Sequence, residues 1–255
     1  MYLREAIAKI AGFRYMIDHL EIHSGLGRSS LLDRVWLEDA KQIKAELERV
    51  EKMVRVVRDS RNQVVLERLK VKLSQVKDIR GTVKRLKEPV VLDDLELFEL
   101  KNLAFVAEDI REIIKDYPVV DIPCLGNLVD LLDPEQNRIP HFYIYDSYSE
   151  KLSALRAEIK QKKREGREER EIENLYFQSL EEEDRVRAEL TLQIRMLREE
   201  IAETLRAVAY LDILLVKAIQ VENMGLVLPE VKDGKKNERL SFQKLFHPQL
   251  KEILL

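Results

Sequence analysis

Six cations within eleven residues, Lys160, Lys162, Lys163, Arg164, Arg167 and Arg170, form the strongest basic cluster of the chain. This residue type at this density suits contact with a phosphate backbone, because Lys and Arg supply most of the sequence-independent affinity for nucleic acid. Glu165, Glu168 and Glu169 interleave with them, and Glu181, Glu182, Glu183 and Asp184 follow shortly after. Mixed-sign runs also decorate exposed helices, where neighbouring charges pair and cancel. Nucleic-acid contact and a solvated arm are the two readings of this stretch.

No other set of residues has the spacing of a reaction centre. His19 and His23 stand four apart, but HLEIH misplaces the glutamate of the metalloprotease pattern and offers no third ligand. The lone Cys124 follows Pro123 beside an apolar stretch and has no activating histidine, which predicts a buried structural thiol. Asp93, Asp94, Asp130 and Asp133 read as helix caps and turn formers. No G-x-x-x-x-G-K-[ST] occurs. DGKKN at 233–237 lacks the upstream glycine, the preceding strand and the hydroxyl residue of a phosphate loop. No catalytic, cofactor-binding or metal-ligating residue is assigned, and this chain by itself is expected not to be an enzyme. His141, Phe142, Tyr143, Tyr145 and Tyr148 suit stacking on bases. Aromatic side chains also bury the most area, and anchoring the base of a long helix is the preferred reading of the run.

The elements that must position these residues are helices. Of 255 residues 36% are charged, with only 8 Gly and 7 Pro, a composition for long solvated helices. A net charge of -3 sets no global field, so any polyanion contact must be local. One cysteine excludes an intramolecular disulfide and fits a reducing compartment. No apolar run approaches ~20 residues, so no membrane partner is expected. The N-terminus lacks a signal-peptide core, which makes the cytoplasm the expected location.

Apolar spacings of three and four predict helices over 2–22, 38–58, 62–86 and from Asp93 or Asp94 to Ile114. A short helix near 124–132 leads into a loop or hairpin. A helix over 148–172 turns Leu152, Leu155 and Ile159 inward, whereas 160–171 has no apolar side chain and must project into solvent or bind something. A long helix, Leu190 to Glu222, returns antiparallel with a near-heptad stripe, closing at Met224-Gly225. With the reversal near 173–179, Ile159 falls opposite about Gln193 and Leu152 opposite about Glu200. The predicted class is all-α: a helical core (1–149), a lever hairpin (150–204) with coiled-coil character, a return helix packing on the core (205–224), and a connector (225–255).

Five stretches then occur in order: SGLGRSSLLDR (24–34); KRLKEPVVLDDLELFELKNLAFVAEDI (84–110); LLDPEQNRI followed by YDSYSEKLSALRAEI, with Asp146, Ser149, Leu152 and Arg156; LRAVAYLDILLVKAIQ (205–220), with Leu211, Asp212 and Ala218; and LFHPQL (245–250). Together they resemble the MutS family of DNA mismatch repair and recombination ATPases, in the branch that lacks the N-terminal mismatch-binding domains. The resemblance implies a core (domain III) and lever whose parent couples the ATP and Mg²⁺ state of a separate ATPase domain to clamping of double-stranded DNA, mismatched or branched, beside a second protomer. On that reading Lys160, Lys162, Lys163, Arg164, Arg167 and Arg170 are the DNA contacts. This chain holds no cofactor site of its own. The stretch 138–148 is longer and more aromatic than the family's glycine-containing turn, and the clamp between the lever helices is almost absent.

Residues 173–179, ENLYFQS, are the preferred recognition sequence of a viral protease widely used for tag removal, which points to engineering and to a replaced clamp. The native alternative is a helical hairpin tip with Leu175, Tyr176 and Phe177 as an apolar knob. A functional reading of another class is a coiled-coil protein-interaction adaptor without a nucleic-acid role. Salt-dependent DNA binding separates the two.

Overall fold

Apolar residues three and four apart, with few breakers between them, produce eleven α-helices among the described residues: α1 (Leu3–Lys9), α2 (Ala11–Asp18), α3 (Gly25–Leu32), α4 (Ala40–Arg58), α5 (Gln63–Ser74), α6 (Arg80–Arg85), α7 (Asp94–Ile114), α8 (Gly126–Leu132), α9 (Glu150–Glu165), α10 (Glu169–Met196) and α11 (Arg198–Met224). The computed structural model describes residues 1–231, 241–243, 245–247 and 249–250. The turn expected at 233–237 lies outside them. Among the described residues no β-strand forms, only an isolated antiparallel bridge between Tyr2 and Val35. The class is all-α.

Local polar chemistry sets several boundaries. Ser24 caps α3 by accepting from the Gly27 N–H, and Asp39 caps α4 by accepting from the Gln42 N–H. Asp93 and Glu96 form a reciprocal capping box at the start of α7. Two of the expected helices before residue 90 are broken. The 2–22 helix is interrupted at Ile10, which is extended (φ -121°, ψ 103°), and Arg14 donates to the freed carbonyls of Ile7 and Ala8. The 62–86 helix stops at Ser74 and resumes at Arg80, where Asp78 offers the backbone a non-helical alternative by accepting from the Arg80 N–H.

The chain forms two compact units. The first combines Met1–Lys77, Ile110–Ile122 and Leu205–Leu255, and the second Asp78–Asp109 and Pro123–Thr204. Two of the boundaries fall inside helices, in α7 and α11. The first unit buries Leu26, Leu31, Met53, Leu69, Leu73 and Leu215, among others. The second buries Leu97, Leu100, Leu128, Tyr145 and Ile194, with Ile144, Leu152, Val186 and Leu190 as a cluster at the base of α9. Each such Leu or Ile contributes about 1.5–3 kcal/mol relative to exposure.

In the second unit α9 and α10 pair antiparallel. The reversal is at Gly166 and not at 173–179. Gly166 sits in the left-handed region (φ 66°), its N–H reaches back to the last turn of α9, and the Arg167 N–H donates to the Lys162 carbonyl at 3.1 Å. Any other residue type there costs roughly 1–2 kcal/mol. The expected helix over 148–172 therefore ends at Glu165. The register changes accordingly. Ser149 donates to Glu182, Arg156 pairs with Glu183 and Lys162 with Glu171. Leu152 consequently clusters with Val186 and Leu190, and Ile159 lies toward the start of α10, so neither stands opposite Glu200 or Gln193. ENLYFQS lies within α10, and Ile172, Leu175, Ser179, Glu182 and Val186 carry one inward face through it at steps of three and four. The expected unbroken helix from Leu190 is interrupted at Leu197 (φ -89°, ψ 1°), where the last turn tightens and Leu197 donates to Ile194. As expected, α11 closes at Met224, with Gly225 left-handed (φ 62°) and Leu226 donating to Val221.

Candidate functional site

The six cations singled out in the sequence gather on the outer part of the α9–α10 hairpin, on both sides of the Gly166 turn. They are not equivalent. Lys162 pairs with Glu171 (3.1 Å) and Glu158 (3.6 Å), and Arg167 with Glu165 (3.2 Å). The bond to Glu171 raises the Lys162 ammonium pKa, and bonds from Gln161 and Arg167 lower that of Glu165. Lys160, Lys163, Arg164 and Arg170 have no ion-pair partner among the described residues and are exposed. The surrounding charge opposes a polyanion, since 150–184 holds eleven Asp and Glu against eight Lys and Arg. The largest local basic excess, missed by looking only for consecutive cations, is 61–88, with nine Lys and Arg against three Asp and Glu. Counting charge over a window finds it. Much of it is neutralised by Asp59–Arg61, Glu67–Lys70, Asp78–Arg80 and Arg85–Glu96 pairs.

The base of α9 is held by buried polar groups. Ser149 caps the helix by accepting from the Leu152 N–H and donates to Glu182 at 2.6 Å. Hydrogen bonds from Arg185 and then Ser149 hold the Glu182 carboxyl down at about 2. Arg156 joins the Ile144 carbonyl, Asp146 and Glu183. Lys101 of α7, 1% exposed, donates to Asp133 at 2.9 Å and to the Tyr145 hydroxyl at 2.8 Å. Burial works against the Asp133 carboxylate, but Lys101 and the Arg138 N–H lower its pKa below the usual value. Tyr145 is fully buried, contacts Tyr143 and Tyr148 edge-on or tilted, and Tyr148 donates to the Leu131 carbonyl. The aromatic run is thus an anchor through Tyr145, Tyr148 and Phe142, with His141 and Tyr143 exposed.

In the first unit Asp212 of α11 is fully buried and accepts from the backbone N–H groups of His23 (3.2 Å) and Ser24 (2.9 Å) and from the Ser24 hydroxyl (2.6 Å). His23 Nδ1 lies 3.0 Å from it. A Cβ on Gly27 would stand 2.5 Å from Asp212 Oδ2, so the first turn of α3 requires glycine there. This polar node joins the 24–34 stretch to the 205–220 stretch. Glu46 of α4 makes a second node with Arg34, Lys217 and Tyr210. Burial and the bond to Glu46 push the Tyr210 phenol up to about 12.

The buried Ser24 hydroxyl is committed to Asp212 and to capping α3. His19 bonds the Tyr15 carbonyl, beyond the end of α2, while His23 meets Asp212, so the two do not share a helix face. Cys124, expected to be buried, is exposed, because Ile122 and Leu125 take the inward positions on either side. Among the described residues no group of His, Cys, Asp or Glu is placed to hold a metal ion, and no helix is long and apolar enough to cross a membrane. No family model matches the chain, and no curated protein matches it.

Proposed function

We propose that the chain is the core and lever part of a MutS-like DNA-associated protein. Its task is mechanical: the hairpin of α9 and α10 carries the state of a separate ATP- and Mg²⁺-binding domain to double-stranded DNA. The observation that carries the reading is the Asp212 node. The 24–34 and 205–220 stretches, far apart in sequence and both part of the resemblance, meet through a buried carboxylate that holds Ser24, the N-cap of α3. A second support is the base of the lever, where Ser149 and Arg156 hold α9 to the segment before it and to α10. On this reading the isolated chain has no catalytic role, and Lys160, Lys163, Arg164 and Arg170 are the lever cations available to phosphate. Lys162 and Arg167 contribute less because they are already paired.

The test is fluorescence anisotropy of duplex and four-way-junction DNA against salt. A contact through four phosphates gives a slope of log affinity on log salt of about -3 to -4. Changing the four lysines and arginines to glutamine should reduce that slope by most of its value. Absence of salt-dependent binding would remove the DNA reading of this chain. The acidic excess of 150–184 favours a second reading, a hairpin that docks on a protein. That reading gains if the four-residue variant leaves DNA binding unchanged.

A further inference from the structure

We infer that the Gln178–Ser179 peptide bond is a cryptic cleavage site, opened by fraying of the α9–α10 hairpin and closed in the native fold. The inference is independent of the DNA reading. ENLYFQS is the recognition sequence of the viral tag-removal protease noted above, and Glu173, Tyr176 and Gln178 are exposed. Sequence and exposure alone therefore predict an open site. The backbone is wrong for it. All seven residues lie inside α10, seventeen or more residues from its C-terminal end and four or more from its start. Proteases bind their substrates as extended chain, so several turns must unwind before the bond can enter the enzyme. Ser179, the residue after the bond, is 3% exposed, and its hydroxyl donates to the Tyr176 carbonyl at 2.7 Å.

The hairpin is unevenly held, which makes fraying local. Outward of Ile159 the first helix has no apolar side chain, and Lys162–Glu171 is the cross-hairpin ion pair there, an exposed contact of small worth. Inward, Leu152 and Leu155 are buried, and Ser149–Glu182 and Arg156–Glu183 cross the pair. The 173–179 segment spans the change from weak to strong. Opening it costs the contacts of Ile172, Leu175 and Ser179 but leaves the Ile144–Leu152–Val186–Leu190 cluster in place. Cleavage is ordinary hydrolysis: water delivers hydroxyl to the Gln178 carbonyl carbon and a proton to the Ser179 nitrogen as the C–N bond breaks.

The experiment incubates the full chain with that protease and follows the two fragments by mass, beside a free peptide of residues 171–182. The native chain should be cut at least about 100-fold more slowly than the peptide, at Gln178–Ser179. Leu155→Ala should speed cutting at least about tenfold. Arg156→Gln, a milder change at the Glu183 bridge, should speed it by roughly threefold. Leu26→Ala, in the other unit, should change the rate by less than about twofold. Circular dichroism establishes that each variant is folded. Peptide-like cutting of the native chain overturns the inference. So does equal acceleration by Leu26→Ala, which would mean global unfolding, or unchanged cutting in both hairpin variants.

Discussion

Replacing Asp212 with alanine is the sharpest probe of how the first unit is held. The carboxylate is fully buried and accepts three hydrogen bonds from His23 and Ser24 groups, with the His23 ring at 3.0 Å. Hydrogen bonds to a charged group contribute about 1.5–3 kcal/mol each, although they do not add, and the lost desolvation of the carboxylate returns part of the sum. Removing one partner of a buried charged network costs about 3–5 kcal/mol, a large part of the 5–15 kcal/mol that holds a typical domain. At roughly 2–4 °C per kcal/mol for a chain of this size, Asp212→Ala should lower Tm by about 6–20 °C. The assay is urea unfolding read by the fluorescence of Trp36, the single tryptophan, which lies in the first unit. A paired substitution sharpens it. Alanine normally stabilises a helical position by about 1 kcal/mol over glycine. Gly27→Ala should instead destabilise, because its Cβ meets Asp212 Oδ2 at 2.5 Å and Cγ at 3.0 Å. In the Asp212→Ala background the carboxylate's share of that penalty should vanish, while the 2.9 Å approach to Ser24 Oγ keeps the rest. A loss below about 1 kcal/mol for Asp212→Ala, or an equal Gly27→Ala cost in both backgrounds, refutes the reasoning.

Three further outcomes are expected. Lys101→Met strands the buried Asp133 and should cost about 3–5 kcal/mol, whereas Lys101→Met with Asp133→Asn should cost less than the single change, as read by urea unfolding. The Glu182 carboxyl is lowered to about 2 from an ordinary 4.5, so its stabilising effect is complete above about 4.5 and disappears as pH falls through about 2. Hydrogen exchange in α10 should accordingly show Glu182→Gln less protected than the parent at pH 7, with the difference shrinking toward pH 2. The Thr204 hydroxyl is buried without a hydrogen-bond partner among the described residues, so Thr204→Val should leave stability unchanged or raise it by about 1 kcal/mol in thermal unfolding.

The all-α class, the cap at Asp93, the end of α11 at Gly225 and an antiparallel helix pair after Ser149 were legible in apolar spacing and in a few polar residues, because these features depend on neighbours three or four positions away. The six lever cations were legible as a cluster. Their inequality was not, since whether Lys162 or Lys160 is paired depends on which residues of α10 stand opposite. That register turned on one glycine. Gly166 sits within the apolar-free run, where nothing in the pattern marks it above the conspicuous ENLYFQS, yet its left-handed conformation moves the reversal and every cross-hairpin contact with it.

Local propensity thus determined that this chain is helical and which face of its longer helices is apolar, but not the breaks at Ile10, Gly166 and Leu197. Only the tertiary structure decided that Asp212 holds the capping Ser24, 188 positions earlier, that Lys101 is buried against Asp133 and Tyr145, and that Cys124 faces outward. The physical reason is range. Helix formation reads side chains within a turn or two, whereas the partner of a buried charge is chosen by the packing of segments whose separation along the chain carries no information about their distance in space.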